Sequence, residues 1–126
     1  MIRTLTAVAA ILVSIPALAG DPKAGATVFK KCQACHAVGE NAKNKVGPVL
    51  NGLFGRPAGS VPDYKYSDAM TSSGIVWSAE TFAEYIKSPK AMVPGTAMAF
   101  AGLKKEKEIA DVTAYLDQFN ADGSAK

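Results

Sequence analysis

The chain has 126 residues and a formal charge of +3 at pH 7 from 14 Lys and Arg against 11 Asp and Glu. That length carries one small domain, and so mild a basic balance gives no reason to invoke nucleic acid. With 2 cysteines and 1 histidine in all, a protein-only zinc site is short of ligands.

The first residues have the layout of a cleaved secretory signal. Arg3 gives the positive start, Leu5 to Ile15 an apolar run, Pro16 a break, and Ala17-Leu18-Ala19 a small-x-small cleavage pattern. The run is far short of the ~20 residues that a membrane-spanning helix needs. We therefore expect residues 1–19 to be removed, residues 20–126 to form the domain, and the mature protein to reside in the periplasm as a monomer. Cleavage also removes Arg3, leaving thirteen basic residues against eleven acidic ones. A domain this small buries a thin core.

Asp21-Pro22 reads as an N-cap followed by a first-turn proline, predicting a helix to about Gln33. Its end carries Cys32-Gln33-Ala34-Cys35-His36. Two thiols three residues apart, with a histidine directly after, suit covalent attachment of haem: each thiol adds across one vinyl group, and His36 supplies an axial ligand to iron. A redox dithiol has no use for the adjacent histidine. A covalently held haem would also supply much of the missing apolar contact, so the haem-free chain is expected to fold poorly.

From Ala37 to Pro48 the composition turns to Gly, Asn and Lys, a solvated loop. Residues 52–62, with three glycines and two prolines, predict a compact omega-type loop. A short helix is expected over Tyr66–Thr71, ended by Ser72-Ser73-Gly74. Ser78 should cap a helix through Ile86 that stops before Pro89. Val93 to Gly102 lacks helical period and reads as a loop. Lys104 to about Asn120 is the longest amphipathic segment, with Ile109, Val112, Leu116 and Phe119 at helical spacing. The tail from Ala121 is expected to fray. The predicted class is all-α, with helices joined by long loops that wrap the cofactor.

With His36 used, the sixth iron position falls to a methionine or stays open. Met70, Met92 and Met98 are the mature candidates, and a methionine is by default a core residue. Met98 stands apart because it follows Pro94-Gly95-Thr96-Ala97, a turn able to present a side chain inward. A thioether ligand favours ferrous iron and raises the reduction potential.

Cys32-Gln33-Ala34-Cys35-His36, then Gly47-Pro48-Val49-Leu50-Asn51-Gly52-Leu53-Phe54-Gly55-Arg56, Trp77, and Pro94-Gly95-Thr96-Ala97-Met98-Ala99-Phe100, in that order, resemble a class I c-type cytochrome. More narrowly, the chain resembles the bacterial cytochromes c2 that are close to mitochondrial cytochrome c. The resemblance covers Gly20 to about Asn120. It implies the small cytochrome c fold, with N- and C-terminal helices packed together, and one haem c bound through Cys32 and Cys35. It also implies His36 and Met98 as axial ligands. Pro48 would offer its carbonyl to the His36 ring. Arg56, Tyr66 and Trp77 would hold the haem propionates, Tyr85 and Thr96 would donate around Met98 and the inner propionate, and Phe100 would cover the haem edge. Lys31, Lys45, Lys90, Lys104 and Lys105 match positions that steer partner docking.

The resemblance implies a soluble one-electron carrier rather than an enzyme. The cytochrome bc1 complex is the expected donor, and a terminal oxidase, a photosynthetic reaction centre or a reductase the expected acceptor. Two alternatives belong to other classes: an open-iron protein with peroxidase or gas-binding activity, and a module serving one fixed partner. Two departures from the family pattern stand out. Ala97 replaces a common lysine, and Met70 replaces a common asparagine near the ligand side of the haem.

Overall fold

The computed structural model describes residues 6, 9 and 20–126. The expected signal segment falls almost wholly outside the described residues. Five α-helices follow in order: α1 (Pro22–Phe29), α2 (Asp68–Thr71), α3 (Ala79–Lys87), α4 (Pro89–Met92) and α5 (Glu106–Leu116). Pairing between extended segments is confined, among the described residues, to the isolated bridges Pro57–Val76 and Phe119–Ala125. None of the described helices is long and apolar enough to cross a membrane.

Helix α1 starts as its sequence dictates. The Asp21 carboxylate accepts from the Lys23 N–H at 2.9 Å, and Pro22 fills the first position. The regular helix ends at Phe29 rather than Gln33. Beyond it Lys30, Lys31 and Cys32 donate to Thr27, Val28 and Phe29, three residues back. This tightening carries the chain into the turns that hold both cysteines.

The N- and C-terminal helices cross at very short range. A Cβ added at Gly25 would run into the Asp111 carbonyl and lie 2.7 Å from the Tyr115 Cβ. The Asp111 carboxylate, almost fully buried, accepts from the Asp21 N–H at 2.8 Å and from Lys107 Nζ at 2.8 Å, tying the start of α1 to α5. Val28 and Phe29 of α1 share one core cluster with Ile109, Val112 and Leu116 of α5, and Phe29 packs on Tyr115 with ring centroids 5.3 Å apart.

Ser67 caps α2, whose helix begins two residues later than Tyr66. Ser78 caps α3 by a reciprocal box: its hydroxyl accepts from the Thr81 N–H, and the Thr81 hydroxyl accepts from the Ser78 N–H. Helix α3 stops before Pro89 as expected, but the chain does not pass directly into a loop. Pro89 opens the one-turn helix α4, because a proline that cannot continue a helix can begin one.

Helix α5 spans Glu106–Leu116, shorter at both ends than the amphipathic pattern. Apolar spacing reports which residues face the core, not whether the intervening backbone is helical. The tail corrects the expectation of fraying. Lys126 donates back to Gln118 at 2.8 Å, Asn120 donates to Ser124 at 2.9 Å, and Gly123 is buried against Gly39 and Asn51.

Candidate haem site

The loops and helices enclose a cavity of about 410 Å³, within the ~300–1,000 Å³ usual for cofactor sites. Its walls are mainly apolar and include Phe29, Leu53, Phe82, Ile86, Val112 and Leu116. The sequence candidates converge there. Cys32, Cys35, His36, Pro48, Arg56, Tyr66, Trp77, Tyr85, Thr96, Met98 and Phe100 all line this one cavity. Met70 lines it too, whereas Met92 packs against the core without reaching the lining.

On one part of the wall, His36 Nδ1 lies 2.7 Å from the Pro48 carbonyl oxygen. That contact requires the proton on Nδ1, which leaves the Nε2 lone pair free for a metal. Burial pushes the imidazole below its ordinary value, against the opposing effect of the Pro48 hydrogen bond, so the ring is neutral near pH 7. Gly47 backs the ring so closely that a Cβ there would collide with it. Cys32 and Cys35 are both free thiols. Burial, and then Cys35, push the Cys32 thiol up, the reverse of what a reactive redox dithiol requires.

Met98 reaches the cavity from a turn. Thr96 donates its N–H to the Val93 carbonyl at 3.0 Å, with Pro94 and Gly95 at the two central positions and Gly95 at φ 90°, the geometry of a type II turn. The Thr96 hydroxyl lies 2.7 Å from the Tyr85 hydroxyl and 3.4 Å from the Met98 N–H, which donates to it. Trp77 packs on Tyr85 with centroids 5.2 Å apart. Burial raises the Tyr85 phenol, so it keeps its proton.

Arg56 and Trp77 are brought together by backbone pairing that composition does not reveal. Gly55 donates to Trp77 at 2.7 Å and Trp77 donates to Arg56 at 3.0 Å. Arg56 Nη1 donates to the carbonyls of Val49 and Asn51. Its Nε is buried with no partner among the described residues, although a guanidinium N–H without an acceptor is costly. Tyr66 accepts from the Val61 N–H at 3.0 Å, and burial keeps its phenol protonated, so its own O–H is left to donate. An unanswered cation beside a free hydroxyl, on the wall of an apolar cavity, fits a group that is apolar in body and carries carboxylates. Among the described residues no cluster of three or more His, Cys, Asp or Glu could hold a bare metal ion.

The lysines are more dispersed. Lys31 lines the cavity mouth and pairs with Glu108 at 3.3 Å. Lys45 Nζ donates to the Gln33 carbonyl at 2.7 Å, and Lys104 Nζ to the Lys87 carbonyl. Lys90 and Lys105 are exposed, and neither lines the cavity. Several residues not foreseen as site residues also line it, Tyr64 and Leu53 among them. Tyr64 lines the cavity and donates to the Val46 carbonyl at 2.6 Å, and Leu53 forms part of the wall. The Tyr64-Lys65-Tyr66 alternation, which puts both rings on one face of an extended segment, was the available signal for Tyr64.

The family model described as cytochrome c matches residues 22–120. The chain belongs to the cytochrome c family. This cytochrome is 58% identical over 111 residues to cytochrome c2 of Blastochloris viridis, covering 88% of this chain and 87% of that one. It is 61% identical over 103 residues to cytochrome c-550 of Bradyrhizobium diazoefficiens, covering 82% of this chain and 76% of that one. Among solved structures, cytochrome cH from Methylobacterium extorquens superposes with a TM-score of 0.73 at 39% identity, covering 78% of this chain and 98% of that one. The family has the small all-α fold found here, binds a covalently attached haem c and transfers electrons rather than catalysing a reaction on a substrate.

Proposed function

We propose that this cytochrome is a periplasmic one-electron shuttle whose haem iron is held axially by His36 and Met98. The observation that carries the reading is that a histidine with Nδ1 committed to Pro48 and a methionine presented by a proline–glycine turn line the same cavity, while Met92 does not. Cys32 and Cys35 would form the two thioether links, and Arg56, Tyr66 and Trp77 would hold the propionates. The Tyr85–Thr96 pair would fix the Met98 loop, and Phe100 would cover the cofactor edge. The bound haem supplies the one-electron ferric/ferrous couple. The protein's part is to exclude water, to keep His36 neutral and oriented, and to hold the same ligands in both oxidation states.

Residues 1–19 act as a cleaved export signal in this reading, and residues 20–126 form the periplasmic domain. Support comes from the layout around Arg3 and Ala17-Leu18-Ala19, and from a family match that begins at residue 22. The likeness to cytochromes c2 supports the cytochrome bc1 complex as donor. A terminal oxidase, a photosynthetic reaction centre or a reductase would be the acceptor. Docking would be brief and small in area, guided by Lys31, Lys45, Lys90, Lys104 and Lys105.

The test is the absorption spectrum of the holo-protein, oxidised and reduced, with and without carbon monoxide, for the wild type and Met98→Ala. The expected wild-type result is a low-spin spectrum with the weak far-red band of a ferric iron–thioether bond and no response to carbon monoxide. Met98→Ala should lose that band, bind carbon monoxide and lower the potential. A wild type that binds carbon monoxide would replace the carrier reading with peroxidase or gas-binding chemistry. A Met98→Ala protein with the parent spectrum would move the ligand to another methionine.

A further inference from the structure

The peptide group that joins Pro48 to Val49 is gripped at both ends. Its carbonyl oxygen lies 2.7 Å from His36 Nδ1, and its N–H donates to Asn44 Oδ1 at 2.9 Å. Asn44 also donates from Nδ2 to the Pro62 carbonyl at 3.1 Å. Only one setting of the amide satisfies both neighbours, because the Val49 N–H requires an acceptor and the Pro62 carbonyl a donor.

The proline ring fixes φ of Pro48 but leaves the following peptide plane free to swing about ψ. A swing of that plane would carry the carbonyl off the imidazole. The bond from Asn44 to the opposite end of the same plane removes this freedom. An acceptor on the N–H also polarises the carbonyl and strengthens its hold on His36. Asn44 itself does not line the cavity, so its effect on His36 is indirect.

The geometry points to Asn44 as a positioning residue for His36: by holding the N–H of the 48–49 peptide, it aims the carbonyl of that peptide at the imidazole. The inference rests on the reading of His36 as an axial ligand. The amide itself offers an internal control, because its oxygen serves the Val49 N–H and its nitrogen serves the Pro62 carbonyl.

The experiment is hydrogen exchange read by NMR on the intact, haem-loaded, oxidised protein, following the His36 Nδ1–H and the Val49 N–H. In the wild type both protons should exchange through one opening, with protection alike within about threefold; a Val49 N–H that exchanges far faster than the His36 proton overturns the inference without any variant. Asn44→Ala should speed exchange of the His36 proton roughly tenfold, the size expected for losing about one hydrogen bond. Asn44→Asp keeps an acceptor for Val49 while giving up the donor to Pro62, and should stay within about twofold of the wild type. Asn44→Asp behaving like Asn44→Ala would reduce Asn44 to a general loop tie and overturn the inference. A wild type with no paramagnetically shifted histidine ring proton overturns the ligation reading as well. A signal that is present but indifferent to Asn44 overturns the positioning role alone.

Discussion

Replacing Gly25 with alanine tests whether the α1–α5 crossing governs the fold. Within an isolated helix this change stabilises by about 0.5–1 kcal/mol, because glycine loses more backbone entropy on ordering. Here the new methyl would collide with the Asp111 carbonyl and sit 2.7 Å from the Tyr115 Cβ. A backbone carbonyl in a helix cannot rotate aside, so the helices must separate. Overpacking of this kind costs about 1–3 kcal/mol, and a backbone collision belongs at the upper end. The net expectation is a loss of about 2 kcal/mol, opposite in sign to the helix propensity. At a guanidinium slope of about 4 kcal/mol per molar, the denaturation midpoint of the holo-protein falls by roughly 0.5 M. Circular dichroism at 222 nm through a guanidinium titration would read it. A Gly25→Ala protein as stable as the parent, or more so, would refute the close-crossing argument.

Three further outcomes follow from named contacts. Asp111 is held below the usual carboxylate range first by Lys107 and then by the Asp21 N–H. Its contribution is therefore fully present above the unfolded value near ~3.9 and is lost as pH falls through the lower folded value. Asn at this position should weaken the protein at pH 7 and lessen its loss of stability on acidification below pH ~4; parallel acid profiles for Asp111→Asn and the parent would contradict this. Deleting residues 121–126 removes the bonds from Asn120 to Ser124 and from Lys126 to Gln118, and should lower stability by about 1–2 kcal/mol in the same titration. An unchanged midpoint would mean that the tail merely adheres. Exchanging Lys31 and Lys90 together for glutamine should slow electron transfer to an acidic partner at low salt and leave it unchanged at high salt. The same rate and salt slope in both proteins would remove the steering role.

That the candidate haem residues gather at one cavity was legible in the sequence in part, because some of them are local. Cys32, Cys35 and His36 lie within five residues, and Pro94-Gly95 sets the turn that leads directly into Thr96-Ala97-Met98. Spacing of that kind fixes which side chains a short segment can present to one cavity. The caps of α1 and α3 were likewise readable, since Asp21 and Ser78 act on N–H groups two or three residues away.

What only the tertiary structure decided depends on atoms far apart in the chain. No periodicity reveals that Gly25 must lack a Cβ because Asp111 lies against it, or that Arg56 and Trp77 meet through paired backbone. The tail shows the same limit: its composition, rich in small and polar residues, is that of a fraying end, and it is held because Gly39, Asn51 and Gln118 happen to face it. Asn44 looked like one polar residue in a solvated loop until folding placed Val49 and Pro62 on its two ends. Sequence sets which groups a segment can offer, whereas the partner that makes an offered bond worth forming is chosen by packing across the whole chain.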